Sequence, residues 1–164
     1  VRGGRPRLGI VAAPAQGVLW RGSEGQGAER LHLSPGAPAS AARERTAIRT
    51  RAFARAGLVA VVSRSHLDRA TEAFLARLPL AGTLASGSAV KFCQLAEGAA
   101  DVYPRLSTTC EWDVAAGHAV LSAAGGTVTT PAGAPLSYGQ IARNFRVPAF
   151  VAWGDPAAPA ALAV

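Results

Sequence analysis

The sequence has no methionine, and lysine occurs once, at position 91, among 17 basic residues. A chain without an initiating methionine starts at a non-standard codon, has been processed or is a fragment. Arginine supplies the rest of the positive charge, and together with 18 glycines and 11 prolines it indicates GC-rich coding. The formal net charge of +7 is therefore weak evidence for a nucleic-acid partner, and the single lysine becomes the residue to explain.

Long apolar runs are also missing. No segment reaches the roughly 18 to 20 uninterrupted apolar residues that a membrane span requires, since the apolar tail over 149–164 is broken by Gly154 and Pro156. Residues 1–7 are rich in arginine and lead directly into a predicted strand, which is not the pattern of a signal peptide. We expect a cytoplasmic protein, and peripheral association with the inner membrane is left open.

Cysteine and histidine are scarce. Cys93 and Cys110 lack CxxC spacing and a secretory context, so two reduced thiols are expected in place of a disulfide. His32, His66 and His118 do not combine with the cysteines at the spacings of a zinc site, which argues against structural zinc.

A length of 164 residues with 49% hydrophobic content is enough for one domain with a packed core and excludes a wholly disordered chain. Residues 7–14 and 18–22 predict two strands joined by a tight turn, and a third strand is predicted to end near Leu31. Residues 34–42 predict a loop. Five arginines and one glutamate over 43–55 predict a solvated connector, and a basic patch for nucleic acid is the alternative.

Strands and helices alternate after residue 57, which predicts an α/β or α+β class with a layered sheet. The apolar run 57–63 predicts a buried strand, and the helix after it is expected to be capped by Ser65. The remaining predicted elements are strands over 82–85, 101–103, 127–130 and 145–153 and helices over 89–97 and 113–124. We divide the chain into a sheet meander with a basic connector over 1–56, an α/β subdomain over 57–155 and a tail over 156–164.

Lys91 follows Gly87 and Ser88 at the start of a predicted helix. With Ser88 as N-cap, the lysine falls at the third helical position, where the helix dipole disfavours a cation. This placement makes sense if an anion such as phosphate lies at the helix end, held by backbone N–H groups, the Ser88 hydroxyl and the ammonium. A surface lysine without a ligand is the alternative that the local pattern leaves open.

Asp113 opens the strongest predicted helix, and Ala115, Ala116 and Gly117 allow that helix to approach another element or a ligand closely. A carboxylate beside a phosphate site is a suitable ligand for Mg²⁺, which prefers oxygen donors. Helix capping is the simpler role for this aspartate. His118 is expected to pack inside the protein instead of binding a ligand.

Ser63, Arg64, Ser65 and His66 follow the buried strand at its carboxyl end, where open α/β sheets bind their ligands. Hydroxyl and imidazole groups at this position can contact phosphate, ribose or base. As a local motif the string is weak, because capping of the next helix by Ser65 explains it as well.

Four strings of the sequence form a recognisable combination. They are Ser63-Arg64-Ser65-His66, Gly87-Ser88-x-x-Lys91-Phe92-Cys93-x-x-Ala96-Glu97-Gly98, Tyr103-Pro104-Arg105, and Trp112-Asp113-x-Ala115-Ala116-Gly117-His118-Ala119-Val120. The combination resembles the inositol monophosphatase superfamily of Mg²⁺-dependent, lithium-sensitive phosphatases, and within it the CysQ-type 3'(2'),5'-bisphosphate nucleotidases. The resemblance runs from about Arg7 to Trp153 and covers the C-terminal two-thirds of the family domain.

The resemblance implies a fold and a role for each matching residue. The implied fold is the αβαβα sandwich of the inositol monophosphatases and fructose bisphosphatases, lacking its N-terminal part, with residues 1–56 as the remnant of the N-terminal subdomain. Asp113 would be a catalytic residue and a Mg²⁺ ligand near the scissile phosphate. The residues implied for substrate binding are Gly87, Ser88 and Lys91 at the second phosphate or the ribose, Ser63, Ser65 and His66 beside them, and Glu97 and Arg105 on the nucleotide side.

The family's Asp-Pro-Ile/Leu-Asp-Gly-Thr string and the metal-binding glutamates before it have no counterpart, since no Asp-x-x-Asp occurs in the sequence. The resemblance therefore implies an N-terminally truncated chain that binds metal poorly and has impaired activity. The implied reaction is Mg²⁺-dependent removal of the 3'-phosphate of adenosine 3',5'-bisphosphate, which gives AMP and phosphate and serves sulfur assimilation. The nearest alternative is an inositol or sugar monophosphatase, and the alternative from another class is a non-catalytic basic module that binds nucleic acid.

Overall fold

The computed structural model describes residues 1–54, 56–64 and 67–163. The elements in chain order are β1 (Leu8–Ala13), β2 (Val18–Ser23), β3 (Gly27–His32), β4 (Glu44–Ile48), β5 (Leu58–Ser63), α1 (Arg69–Leu75), β6 (Leu80–Ser86), α2 (Val90–Ala96), β7 (Val102–Arg105), β8 (Thr109–Cys110), α3 (Glu111–Ala123), β9 (Thr127–Thr129), β10 (Arg146–Val147), β11 (Phe150–Trp153) and α4 (Ala158–Leu162). None of the helices in this part of the chain is both long and apolar enough to cross a membrane.

The first sheet is an antiparallel meander with the strand order β1-β2-β3-β4. A short 3-10 turn joins β1 to β2 and ends at Gly17, whose φ of +64° favours glycine. One face of the meander buries Val11, Trp20 and Ile48. These residues share a face because residues paired across strands, like residues two apart within one strand, point to the same side. The predicted meander is confirmed for its first three strands.

The solvated connector predicted over 43–55 is wrong in its first half, where Glu44–Ile48 forms β4 and pairs with β3. Ile48 points into the core and ends this strand. Farther along, the guanidinium of Arg51 donates hydrogen bonds of 2.7 and 2.6 Å to the carboxylate of buried Asp101. Because residues of this segment serve strand pairing and packing, the structure offers no support for the basic patch.

The second sheet has the strand order β6-β5-β7-β11-β9. β5 runs parallel to β6 and β7, while β11 runs antiparallel to β7 and β9. Pro104 was expected to end the strand at 101–103, but it lies inside β7 opposite Val151. Proline is tolerated at this position because β5 pairs with β7 only at Ala60 and Val102. No carbonyl of β5 therefore needs a backbone N–H from Pro104.

Two predicted helix starts are corrected by the structure. Helix α1 begins at Arg69, and its N-cap is Asp68, whose carboxylate accepts a hydrogen bond of 2.9 Å from the backbone N–H of Thr71. The expected cap, Ser65, lies outside the described residues. Helix α2 has Ala89 at its N-cap, with no side-chain capping bond, so Ser88 is not the cap and Lys91 takes the second helical position.

Farther along the chain, helix α3 begins at Glu111, two residues before the predicted Asp113. The strand predicted over 145–153 divides into β10 and β11, which are separated at Pro148 and lie in different sheets.

The elements form four layers in the order first sheet, α2 with α3, second sheet, and α1 with α4. One apolar cluster lies between the two sheets and includes Trp20, Phe92, Val120 and Phe150. A second cluster covers the other face of the second sheet and includes Leu58, Leu75 and Ala158. The predicted layered α/β class is confirmed, while the division of the chain after residues 56 and 155 stays a prediction.

Helix α3 comes very close to both of its neighbours, as its small residues predict. A Cβ atom at Gly9 of β1 would lie 2.1 Å from the carbonyl oxygen of Ala116, and one at Gly117 would lie 2.4 Å from Cδ2 of Phe92. Only glycine therefore fits at these two contacts. His118 packs inward, where its Nδ1 lies 2.7 Å from the hydroxyl of Tyr138, and burial lowers its pKa to about 4.

Candidate functional site

A polar pocket of about 180 Å³ lies at the carboxyl ends of β5 and β7. Parallel strands deliver their carboxyl ends to one edge of a sheet, and that edge is where open α/β sheets bind ligands. The starts of α2 and α3 close the pocket. Its walls are Ser63, Ser88, Ala89, Lys91, Tyr103, Arg105, Thr109, Asp113 and Val114.

Lys91 is a wall of this pocket and is only 3% exposed. Its Nζ donates a hydrogen bond of 2.9 Å to the carbonyl oxygen of Ser88 and lies 5.0 Å from the centre of the Tyr103 ring. The alternative of an exposed surface lysine is therefore wrong. Burial, together with the positive charges of Arg105 and Arg64, lowers the pKa of Lys91 to about 8.

Asp113 lines the same pocket from the third position of α3. Its Oδ2 accepts a hydrogen bond of 2.9 Å from the hydroxyl of Thr109 and one of 3.4 Å from the backbone N–H of Cys110. Both contacts hold the carboxylate at the start of the helix, so Asp113 takes part in capping, with Cys110 as the N-cap residue. Capping and ligand binding are compatible, because the same carboxylate also lines the pocket.

Arg105 brings a second positive charge to the pocket, at the end of β7. Its Nε is buried and has no hydrogen-bond partner in the described part of the chain. A buried donor without a partner is costly, unless a ligand or water accepts its hydrogen bond. Arg105 and Lys91 together make the pocket suited to an anion.

Glu97 and Gly87 lie outside this pocket, along a neighbouring cleft of about 680 Å³. The carboxylate of Glu97 accepts hydrogen bonds from the indole N–H of Trp20 and, at 3.4 Å, from Arg30, so it ties the end of α2 to the first sheet. The structure therefore does not bring Glu97 together with Lys91 and Asp113. Ser88 lines both spaces, which meet at this residue.

The structure thus brings together Ser63, Ser88, Lys91, Arg105 and Asp113, five of the residues that the sequence motifs single out. Ser65 and His66 lie outside the described residues, and their roles stay predictions.

Sequence reasoning missed two polar walls of the pocket, Tyr103 and Thr109. Tyr103 could have been found, because it stands two residues before Arg105 in a strand and therefore points to the same side. No local signal marks Thr109, since β8 is a two-residue strand that exists through its pairing with β10.

The donors in the pocket do not make a complete magnesium site. Mg²⁺ needs about six oxygen ligands in octahedral geometry, usually with one or two carboxylates. Asp113 supplies one carboxylate, and it lies among positively charged side chains. Over residues 1–54, 56–64 and 67–163, no cluster of three or more His, Cys, Asp and Glu side chains could hold a metal ion. Within this pocket, the described residues offer a metal ion one carboxylate, that of Asp113.

Comparison with known sequences gives consistent similarities. The model of the inositol monophosphatase family matches residues 1–157. The 3'(2'),5'-bisphosphate nucleotidase CysQ of Escherichia coli strain K12 is 40% identical over 135 residues, which are 82% of this chain and 50% of that protein. The chain thus spans about half the length of this curated relative.

Comparison with solved structures agrees. The crystal structure of CysQ from Bacteroides thetaiotaomicron, a bacterial member of the inositol monophosphatase family, matches with a TM-score of 0.79 and 34% identity, over 93% of this chain and 59% of that one. Mycobacterium tuberculosis SuhB matches with a TM-score of 0.70 and 23% identity, over 98% of this chain and 58% of that one, which is a likeness of fold alone. Both matches confirm the layered α/β fold that the motifs imply.

Proposed function

Since the chain belongs to the inositol monophosphatase family, we propose that it carries the phosphate-binding part of a CysQ-like bisphosphate nucleotidase, which removes the 3'-phosphate of adenosine 3',5'-bisphosphate and leaves AMP. The observation that supports this proposal most is the placement of Lys91. A buried ammonium that lines one pocket with Arg105 suits a ligand that carries several negative charges.

The phosphate that is not cleaved lies, in this proposal, against Lys91 and Ser88. The ammonium and the Ser88 hydroxyl donate to its oxygens, and Ser63 stands nearby as a further hydroxyl donor. Arg105 is the natural partner for another phosphate oxygen, because its buried Nε has no hydrogen-bond acceptor in the described residues. The resemblance also implies substrate contacts for Ser65 and His66, which lie outside the described residues.

The phosphate that is cleaved lies near Asp113 at the start of α3. The backbone N–H groups in the first turn of this 13-residue helix point toward the pocket end, and the helix dipole favours negative charge there. The helix end thus stabilises charge that builds up on the phosphoryl group. Thr109 orients Asp113 through the hydrogen bond of 2.9 Å between its hydroxyl and Oδ2.

Asp113 is also proposed as one ligand of Mg²⁺, the ion that phosphatases of this family use. Because the described residues place one carboxylate in the pocket, we propose that the 164-residue chain binds Mg²⁺ weakly and turns over its substrate slowly. Full activity then depends on carboxylates from outside the described residues.

Calorimetry of the chain tests the binding part of the proposal, with adenosine 3',5'-bisphosphate, adenosine 3'-monophosphate and inositol 1-phosphate as ligands. The bisphosphate should bind most tightly, and Lys91→Ala should weaken it at least about tenfold, since a charge-assisted hydrogen bond is lost. The two monophosphates should change much less. Arg77→Ala removes an exposed arginine on the chain surface and is the matched control. Equal affinity for all three ligands would refute the proposal and favour an inositol or sugar phosphatase.

A phosphate-release assay over a range of Mg²⁺ concentrations tests the catalytic part. Turnover should be slow and should require far more Mg²⁺ than binding of the nucleotide does. Asp113→Asn should remove the remaining activity while the bisphosphate still binds. Rapid turnover that survives Asp113→Asn contradicts the assignment of Asp113.

A further inference from the structure

Arg64 lies where the pocket and the neighbouring cleft meet. It follows directly after Ser63 at the end of β5, and it lines the cleft of about 680 Å³ together with Gly87 and Ser88. Its charge also reaches Lys91 on the other side of Ser88, since it contributes to the lowered pKa of that lysine. Arg64 thus lines the cleft and Lys91 lines the pocket. Ser88 lines both spaces and lies where they meet.

The guanidinium of Arg64 lies directly over Gly87. A Cβ atom at position 87 would lie 3.0 Å from its Nη2, which is closer than such contacts normally are. The backbone of Gly87 has no positive φ, so alanine is allowed there by conformation and only the guanidinium stands in its way. Because this atom is the end of an exposed side chain, a shift of a few tenths of an ångström would admit alanine, and the contact shows only where the guanidinium lies.

Positively charged side chains predominate around Ser88. Arg64 and Arg105 form no ion pair with any acidic side chain of the described residues, and both repel the ammonium of Lys91. Ser88, between them, has a φ of +53°, a backbone conformation that is unfavourable for any residue except glycine. Repulsion and backbone strain in one place indicate a site that is stabilised when an anion binds.

The size of the pocket limits how much of a nucleotide it can hold. Pockets for whole ligands of nucleotide size measure about 300 to 1,000 Å³. The pocket beside Lys91 has about 180 Å³, and the larger cleft adjoins it at Ser88, so a nucleotide that places phosphate in the pocket can extend into this cleft. Its path leads along Arg64.

We propose that Arg64 is a specificity residue of this site, and that its guanidinium binds the phosphate that is not cleaved from the cleft side of Ser88. This inference rests on the proposed function and extends it. It assigns selection of a substrate with two phosphoryl groups to Arg64.

The test measures, by calorimetry on the 164-residue chain, the dissociation constants of adenosine 3',5'-bisphosphate and of adenosine 3'-monophosphate, which lacks the second phosphate. Arg64→Gln should weaken binding of the bisphosphate about tenfold, the loss expected for one charge-assisted hydrogen bond, and should change binding of the monophosphate less than about twofold. Arg64→Lys should retain part of the preference. Arg77→Gln, at an exposed position, is the matched control.

Gly87→Ala provides a second and independent arm. It should weaken the bisphosphate much less than Arg64→Gln does, because the end of the exposed arginine side chain can shift away from the new Cβ atom. Gly82→Ala is the control for glycine replacement, since a Cβ at position 82 meets no atom within 4 Å. Thermal unfolding of every variant shows whether it remains folded.

The outcomes separate this inference from the proposed function. If Lys91→Ala weakens the bisphosphate while Arg64→Gln does not, Arg64 is not the specificity residue and the proposed function stands. If Arg64→Gln weakens both nucleotides equally, or Gly87→Ala weakens the bisphosphate as much as Arg64→Gln does, the inference is also wrong. If the wild-type chain does not prefer the bisphosphate, the proposed function fails as well.

Discussion

The ammonium of Lys91 lies 5.0 Å from the centre of the Tyr103 ring. This aromatic contact and the hydrogen bond to the carbonyl of Ser88 partly replace the water that the buried lysine has lost. Neither partner carries a full negative charge, and the nearby charges of Arg105 and Arg64 are positive. In the proposed function, a phosphate of the substrate supplies the negative charge that these two contacts lack.

Binding of phosphate ligands should weaken as the pH rises through about 8. Lys91 carries its charge below its pKa of about 8 and loses it above, so affinity for adenosine 3',5'-bisphosphate should fall up to about tenfold between pH 7 and pH 9.5. Calorimetry across this range measures the effect. Lys91→Arg keeps its charge throughout, and its affinity should not depend on pH in this range. An identical pH dependence in both proteins would exclude Lys91 as the titrating group.

The carboxylate of Asp101 should be one of the largest single contributions to stability. It is 3% exposed and accepts hydrogen bonds from Arg51 and, at 2.7 Å, from the backbone N–H of Val59. Asp101→Ala leaves these donors without a partner and should lower the free energy of unfolding by about 3 kcal/mol in urea titrations. Arg7 and Glu24 form an exposed ion pair, and Glu24→Ala should have little effect. Similar losses in both variants would contradict this assignment.

Replacement of Gly117 tests the contact between α2 and α3. Alanine normally favours a helix over glycine by about 1 kcal/mol, but here its Cβ would overlap with the ring of Phe92. Gly117→Ala should therefore destabilise the chain by about 2 kcal/mol in chemical denaturation. Phe92→Leu, with a smaller side chain, should make the same replacement less harmful. If Gly117→Ala stabilises the chain, the two helices are farther apart than described.

His118 should make the folded chain sensitive to mild acid. Its pKa is about 4 when folded and about 6.5 in an unfolded chain, so the unfolded state binds more protons between these values. Stability should therefore be unaffected above pH 6.5 and should fall as the pH drops to 4, by on the order of 3 kcal/mol at most. His118→Gln keeps a hydrogen-bonding group for Tyr138 and does not titrate, so its unfolding free energy should depend less on pH in this interval. Parallel curves for the two proteins would contradict the low pKa.

Local patterns were sufficient for most of the architecture. Alternation in residues 7–22 predicts the first hairpin, and the apolar run before Ser63 predicts β5, because side chains in strands alternate between faces and a buried strand has an apolar surface on both. The motif strings around Lys91 and Asp113 imply the phosphatase family, which the comparisons bear out. These signals work because they are set by neighbours in the sequence.

Other features of the fold and the site depend on contacts between residues that are far apart in the sequence. β4 exists because residues 44–48 complete a sheet edge beside β3, and Glu97 points to Trp20 and away from Lys91 because the end of α2 packs on the first sheet. Neither is visible in local periodicity, which does not specify a pairing partner or the direction of a side chain.

The sequence by itself therefore determined the layered α/β class, the family motifs and the phosphate-binding role expected of the single lysine. Only the tertiary structure decided that this lysine is buried, that Asp113 lines the same pocket, and that Arg64 lies next to Gly87. The physical reason is that parallel strands bring residues that are far apart in the chain to one edge of a sheet, and the charges that meet there determine which ligand the site can hold.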